Sequence, residues 1–366
     1  MRLIQLRLKD FRSYPQLSLM LPHGITALVG ENGAGKTNVL EAIHLCCLGR
    51  SHRTSADRDM IRTGEETCAV HARVERSDRC HEVGIRLYAQ PRRRKLIYVN
   101  GKTVPRIGEL MGHLTCVMFS PEDLEIVKGQ PQQRRRFLDM LLSQCQPAYF
   151  YSLQTYMSVL KQRNALLKAL AKGVGDARQL PAWDEQLALA AGPVVQARRQ
   201  AVVQLDRLSR GHYAHISGRD NEVLALAYQG TLSASTNPSQ DMAQALKDAR
   251  QEDLRRQTTS VGPHRDDIEV TLAGQDIRVY GSQGQARTAI LSMRLSQIDV
   301  LEQAQGDTPL LLLDDVLSEL DMSRRARLLA RLNRVQTLLT TTELNDLGDV
   351  NPACVLRVAP GKISAL

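Results

Sequence analysis

The chain has 366 residues, more than one ordinary domain needs, and 43% of them are hydrophobic, too many for a disordered polymer. Its formal net charge of +9 favours a polyanionic partner, because Lys and Arg release counterions from phosphate. No apolar run reaches transmembrane length, residues 1–7 alternate instead of forming an apolar leader, and the seven cysteines include no C-x-x-C pair, so the expectation is a cytoplasmic protein with reduced thiols, no membrane contact and no zinc.

In chain order, residues 1–30 read as strands. Leu3, Gln5, Arg7 and Lys9 alternate against Ile4, Leu6 and Leu8 with period two, and residues 25–29 form the continuous apolar run of a buried strand. A glycine-rich turn leads into a helical pattern over about 36–48. Residues 66–119 return to strands, and Asn100-Gly101 between β formers predicts a hairpin. Ser120, Pro121 and Asp123 predict a capped helix start. Two long helices follow, about 148–172 and 182–213, separated at Gly173, Gly175 and Pro181 and forming an arm, with a kink expected at Gly192-Pro193. Next come a strand at 222–226, a helix at 241–256, a hairpin across 267–280 turning at Ala273-Gly274 and a helix at 286–304. A buried strand at 310–313 ends in Asp314, and a helix at 322–333 and strands at 336–342 and 354–358 close the chain. No heptad pattern persists long enough for an extended coiled coil.

Residues 30–37, Gly30-Glu31-Asn32-Gly33-Ala34-Gly35-Lys36-Thr37, fit G-x-x-x-x-G-K-[ST] at every position. Glycines let the loop's N–H groups face phosphate oxygens, and the helix behind presents its positive N-terminus to the same anion. This assigns Lys36 to the β- and γ-phosphates of ATP and Thr37 to Mg²⁺, with Asn38 next to them. Leu310–Leu313 followed by Asp314 supplies the second Mg²⁺ ligand at the end of a central strand, and Asp315 is the residue expected to polarise the attacking water. Thr37 and Asp314 stand 277 positions apart, so a large insertion splits the nucleotide site. Gly281-Ser282-Gln283-Gly284-Gln285 resembles the S-x-G-Q signature of ABC-type ATPases, in which Ser282, Gly284 and Gln285 would act on the ATP of a second copy. Ser318 and Asp321 match the loop that follows the second acid in that class.

With these residues in place, the whole chain resembles the RecF family of bacterial recombinational-repair ATPases. The resemblance runs through Leu8-Lys9-Asp10-Phe11-Arg12-Ser13-Tyr14, the loop of residues 30–38 with Leu40-Glu41-Ala42-Ile43, and Gly49-Arg50-Ser51-His52-Arg53. It continues through Phe119-Ser120-Pro121-Glu122-Asp123-Leu124, Arg134-Arg135-Arg136-Phe137-Leu138-Asp139, Gly262-Pro263-His264-Arg265-Asp266-Asp267 and Leu313 to Asp321. It implies an α/β fold: an ABC-type ATPase head, made of a P-loop sheet with flanking helices and an antiparallel β lobe, plus an inserted helical arm domain. Residues 1–120 would give the head's first part, 121–220 the arm, and 221–366 the head's second part with the signature loop and acidic strand. It further implies an ATP-dependent homodimer on DNA, work with RecR, RecO and RecA at gaps, and a link to the SOS response. Asp315 stands where transporters carry Glu, and Thr342 where they carry His, which implies slow hydrolysis used as a switch. An SMC-like architectural ATPase and a P-loop small-molecule kinase remain as alternatives.

Basic clusters at Arg92, Arg93 and Arg94, at Arg134 and Arg135, at Arg198-Arg199 and at Arg255-Arg256 are candidates for a groove that takes single- or double-stranded DNA without sequence preference. With four Phe and one Trp, base stacking is a poor main mode. His264 and Arg265 read equally as catalytic groups or as a hydrogen-bonded structural loop.

Overall fold

A computed structural model describes residues 1–77, 79–90, 95–219, 221–348 and 351–366. Strands β1 (Arg2–Phe11), β2 (Tyr14–Met20) and β3 (Ile25–Val29) lead into helix α1 (Lys36–Leu48). Strands β4 (Thr67–Glu75), β5 (Cys80–Tyr88), β6 (Leu96–Val99), β7 (Lys102–Val104) and β8 (Cys116–Phe119) follow. Helices α2 (Leu124–Lys128), α3 (Pro131–Cys145), α4 (Pro147–Ala171) and α5 (Leu180–Ser217) come next. They are followed by β9 (Leu224–Gln229), α6 (Pro238–Asp248), α7 (Arg250–Arg256), β10 (Asp267–Leu272), β11 (Gln275–Asp276), α8 (Ile277–Tyr280) and α9 (Gln283–Gln305). The chain ends with β12 (Leu310–Asp314), α10 (Met322–Arg331), β13 (Thr337–Thr341), β14 (Cys354–Ala359) and β15 (Lys362–Ala365).

Two compact units result. One comprises Met1–Asp123, His212–Arg219 and Leu291–Leu366, and the other Leu124–Gly211 and Asp220–Ile290. Residues 221–290 therefore group with the helices of 124–211. In the first unit, one sheet runs β15-β14-β3-β13-β12-β8, parallel throughout except for β15. Its central strands β3, β13 and β12 are buried on both faces, as parallel strands covered by helices are. Leu310 to Leu313 of β12 are all 1% exposed or less, each contributing roughly 1.5–3 kcal/mol of burial. A parallel sheet gathers its loops at the C-terminal ends of its strands, so the turns after β3, β12 and β13 converge.

The unit's second sheet is antiparallel, in the order β2-β1-β4-β5-β6-β7. Its β6–β7 hairpin turns at Asn100 and Gly101, both with positive φ as the expected turn requires. The strict alternation expected for β1 breaks once. A bulge between Leu3 and Gln5 brings Leu3 to the core side with Leu6 and Leu8 and leaves Arg7 and Lys9 outward.

In the second unit, β11, β10 and β9 form a small sheet, and β10–β11 turns at Ala273-Gly274 as expected. The hairpin's far arm is short, because residues 277–280 are helical. The single helix expected over 241–256 is two. Asn237 caps the first, its side chain accepting from Gln240 N, Pro238 opens it, and Ala249 breaks it from the next. Strand β9 begins two residues later than expected, α9 begins three earlier, and β15 has no counterpart in the expectations. The pair α4 and α5 matches the expected arm helices, with Pro193 inside α5.

The helices of this unit are tied by one buried guanidinium. Arg163 of α4 donates to Asp184 of α5 at 2.7 Å, and to Asp253 of α7 and Thr259 at 2.7 and 2.8 Å, and it is 0% exposed. Removing one partner of such a cluster leaves buried carboxylates uncompensated. Arg163→Met is expected to destabilise this unit by about 3–5 kcal/mol, read as a lower urea midpoint for the fluorescence of Trp183, the chain's one tryptophan, which lies on α5. An unchanged midpoint contradicts this account.

Candidate nucleotide-binding site

The loop from Gly30 to Gly35 joins β3 to α1 with Gly33 and Gly35 in left-handed conformations, φ 81° and 109°. A Cβ at Gly30 would lie 2.3 Å from Val358 O, and one at Gly35 2.8 Å from Ser13 Oγ, so the loop closes only around glycine. Gly35 is the N-cap of α1 and supplies no capping side chain, which leaves the first N–H groups of that helix to an external anion. Lys36 folds back over the loop and donates from Nζ to Gly30 O and Glu31 O at 2.5 and 3.0 Å. Burial lowers its pKa, and Asp315 and Asp314 pull the other way. Glu31, Asn32, Gly33 and Ala34 line a cavity of about 860 Å³ with Thr342 and Arg357. Thr342 is exposed one residue beyond β13, whereas Thr341 is buried within it.

The C-terminal half of the site meets this loop directly. Thr37 donates from Oγ1 to Asp314 Oδ1 at 2.8 Å, closing the 277-residue gap. Thr340 of β13 donates to the same oxygen at 2.9 Å, and its hydroxyl accepts from Asp315 N at 2.9 Å. Thr340 is thus a positioning residue for both acids. Its place as one of three threonines in a buried strand gave no sign of this, since only register with β12 reveals it. Burial raises the Asp314 pKa, the Thr37 and Thr340 hydroxyls oppose that shift, and Glu122 adds to it. A buried carboxylate beside a hydroxyl is a set of hard oxygen donors, the kind Mg²⁺ takes. Asp315 has φ 53°, a left-handed turn that starts a path away from the strand direction. Ser318 donates to Asp315 O at 2.9 Å, and Asp321 caps α10 by accepting from Arg324 N.

Ser282 and Gln285 belong to the second unit. They form a reciprocal capping box: Ser282 N donates to Gln285 Oε1 at 2.9 Å, and Gln285 N to Ser282 Oγ at 3.2 Å. Gln285 also donates to Glu222 at 3.2 Å. Ser282 is exposed and Gly284 half-buried at the N-terminus of α9.

The basic candidates divide sharply. Arg92, Arg93 and Arg94 lie outside the described residues. Arg134 is 3% exposed and holds Asp267 through Nε and Nη2 at 2.6 and 2.9 Å, so it is a structural ion pair with no charge to offer a phosphate. Arg135 is half-buried and donates to Asp266 O. Arg198 is buried against Asp139 and Pro263 O. Arg255 and Arg256 share Glu252. Each partner lies far off in sequence or one helical turn away, and a run of arginines does not disclose it. His264 resolves the same way. Tyr156 lies 2.6 Å from its Nδ1 and Thr259 O 3.0 Å from its Nε2, and burial pushes its pKa down to about 4, the signature of a pinned loop residue.

The motifs around Arg12, Glu41 and Ser51, which ATP chemistry leaves unexplained, form the support beneath the loop. Arg12 forks onto Glu41 at 2.8 and 2.6 Å, Ser51 donates to the same carboxylate, and Glu41 is 0% exposed on α1. Tyr14 OH donates to Gly35 O at 3.1 Å, and Asn38 bridges Ser13 at 3.1 Å and Arg53 at 3.3 Å. Burial would raise the Glu41 pKa, but the Arg12 and Ser51 hydrogen bonds and the Arg12 charge hold it below the ordinary glutamate range. A depressed carboxyl adds stability that is full above its unfolded pKa and is lost as pH falls through its folded one. Glu41→Gln is therefore expected to cost about 2–3 kcal/mol near neutral pH, with the gap from wild type closing in melts run down toward about pH 3. A gap independent of pH contradicts the ion-pair account.

The model of the RecF/RecN/SMC N terminal domain matches residues 2–350. The DNA replication and repair protein RecF of Gloeobacter violaceus is 41% identical over 373 residues, covering 100% of this chain and 99% of that protein. Its counterpart in Shouchella clausii is 40% identical over 370 residues, covering 99% and 98%. A solved structure described as the recombination mediator protein RecF-ATP in the RecFOR pathway superposes with a TM-score of 0.92 at 33% identity, covering 100% of this chain and 97% of that one. With its ABC-type α/β head and its split P-loop site, this chain belongs to the RecF family of DNA replication and repair proteins.

Proposed function

We propose that this protein is an ATP-dependent recombination mediator that works as an ATP-gated clamp on DNA. The observation that carries the reading is the hydrogen bond from Thr37 Oγ1 to Asp314 Oδ1, which unites the loop of one chain end with the acidic strand of the other. ATP binding follows from the family and from the fit of the site: a loop that only glycine can close, free N–H groups at the start of α1, and a lysine whose present partners are loop carbonyls. In this reading the backbone N–H groups of Gly33, Gly35 and Lys36 and the Lys36 ammonium bind the β- and γ-phosphates, and Asn38 keeps the loop seated on Ser13. Thr37 and Asp314 would hold Mg²⁺, which would supply charge neutralisation to the phosphates. Asp315 orients the attacking water and accepts its proton. Its side chain is one methylene shorter than the Glu of transporters, and Thr342 brings no imidazole to the same cavity. Both features support slow turnover, suited to a timer on a bound state.

The signature loop supports a two-fold assembly. Ser282 is exposed at the positive N-terminus of a 23-residue helix, with Gly284 beside it offering little bulk. A second copy placed with this loop over the first copy's phosphates completes the site, and the Ser318–Asp321 turn, which follows Asp315 in the chain, is assigned to the same interface by its match to that class. ATP then acts as the ligand that joins two heads, and hydrolysis separates them. DNA contact is led by the sugar-phosphate backbone and is independent of sequence, as a net charge of +9 favours. The relatives' place in the RecFOR pathway extends this reading to RecO and RecR as partners, to RecA loading at gaps and to the SOS response.

Two variants separate the roles. Lys36→Ala is expected to weaken ATP binding by at least about tenfold and to stay monomeric with ATP and DNA in light-scattering measurements. Ser282→Arg is expected to bind ATP as tightly as wild type and still fail to pair. Normal dimers from either variant sink the shared-site model. Asp315→Asn is expected to keep ATP-induced pairing while slowing turnover on the order of a hundredfold, so unchanged single-turnover rates remove Asp315 from the chemistry.

A further inference from the structure

The antiparallel sheet of the first unit has two unlike faces. One is core: Leu6, Leu8, Val70, Val83, Ile85 and Leu87 are all 2% exposed or less. On the other, Arg7 and Lys9 of β1, Arg73 of β4 and Arg86 of β5 are exposed, and among the described residues none of the four forms an ion pair. Pairing register places them together. Lys9, Ala69 and Arg86 form one row across three adjacent strands, and Gln5 and Arg73 another. Arg7 sits two residues from Lys9, roughly 7 Å along the strand, and Lys9 to Arg86 spans roughly 10 Å across the sheet. The face also carries two carboxylates: Glu75, which lies 3.8 Å from Arg2, and Glu82, which stands opposite Arg73 and 3.7 Å from His71, an imidazole whose pKa burial lowers.

Four unpaired cations held in fixed register are unlike a general scatter of surface charge. Each loses little by keeping its head in water, and each offers that head to an anion without first breaking a salt bridge. The strands fix the Cα positions, so the array is pre-organised for a partner whose negative charges repeat at a few ångströms. Between the cations the face carries Ala69, His71 and Gly84. The outward aromatic rings are few, Tyr88 and Tyr98, so successive bases find no stacking platform.

We infer that the outward face of the β1-β4-β5 sheet is a backbone-contacting surface for duplex DNA, with Arg7, Lys9, Arg73 and Arg86 each neutralising a phosphate. This rests on the clamp reading above for the identity of the polyanion, and it moves the contact away from the arginine runs of the sequence. Phosphate contacts of this kind position the protein without reading sequence, and they set the salt dependence of binding at about 0.9 per phosphate in the slope of log K against log salt.

The test is a salt titration of a fluorescein-labelled, mixed-sequence duplex bound by the full chain with ATP. The variant carries R7Q, K9Q, R73Q and R86Q together, and the control carries two exposed changes, K161Q on α4 and K172Q at the residue that follows it. The quadruple variant is expected to keep wild-type ATP affinity and the wild-type melt. Its slope should fall by about three to four and its DNA Kd at about 0.1 M salt should rise at least about thirtyfold, while the control keeps the wild-type slope to within about one. A quadruple variant with the wild-type slope, or one losing no more than the control, overturns the surface and leaves the clamp reading standing. A wild type that binds no DNA overturns both. Unlabelled single strands that displace the duplex better than unlabelled duplex overturn the assignment to duplex.

Discussion

A single hydroxyl-to-carboxylate contact, Thr37 Oγ1 to Asp314 Oδ1, makes one site of two chain ends. Everything the first unit does locally converges on it. The parallel sheet places β3, β13 and β12 side by side, so the glycine loop and the acidic strand end finish at the same edge. Thr340, in the strand between them, fixes the Asp314 carboxylate with its hydroxyl and receives the Asp315 amide on the same oxygen. Burial raises the Asp314 pKa against the two hydroxyls that hold it, the electrostatic setting of a carboxylate suited to a positive partner.

The loop's rigidity comes from below. Glu41, wholly buried on α1, is held by Arg12 from the β1–β2 turn and by Ser51 from beyond the helix, while Tyr14 and Ser13 press against Gly35. These contacts support the glycine loop from behind, and they give a structural role to motifs that ATP chemistry leaves unexplained. A loop whose amides must point inward keeps that geometry only if the helix behind it cannot rotate.

Legibility in the sequence followed locality. The glycine loop, the Leu310–Asp314 strand and the Asn100-Gly101 and Ala273-Gly274 turns are short segments whose residue types dictate their backbone, and each is found where expected. The α4–α5 pair was legible from its breakers. What escaped depends on partners far away in the chain. Arg134 read as a surface cation because its ligand, Asp267, lies 133 positions on. Thr340 read as strand filler because its role exists only in register with Asp314. The bulge at Ile4 exchanged the faces of Leu3 and Ile4 against a pattern that looked regular. The outward cations of β1, β4 and β5 are single residues spread over 80 positions of sequence, and only strand pairing collects them. Asn237-Pro238 was a readable helix start that the longer helical pattern obscured.

The central claim is that Lys36 and Asp314 of one chain and Ser282 of another act on one nucleotide. Mixing Lys36→Ala with Ser282→Arg tests it most directly, because neither variant can build a complete site with itself, whereas a mixed pair holds one intact site: Lys36 from the second and Ser282 from the first. Light scattering with ATP should find each variant monomeric alone and a heterodimer in the mixture. A mixture that stays monomeric while both variants remain folded, or a Ser282→Arg protein that dimerises by itself, contradicts the account.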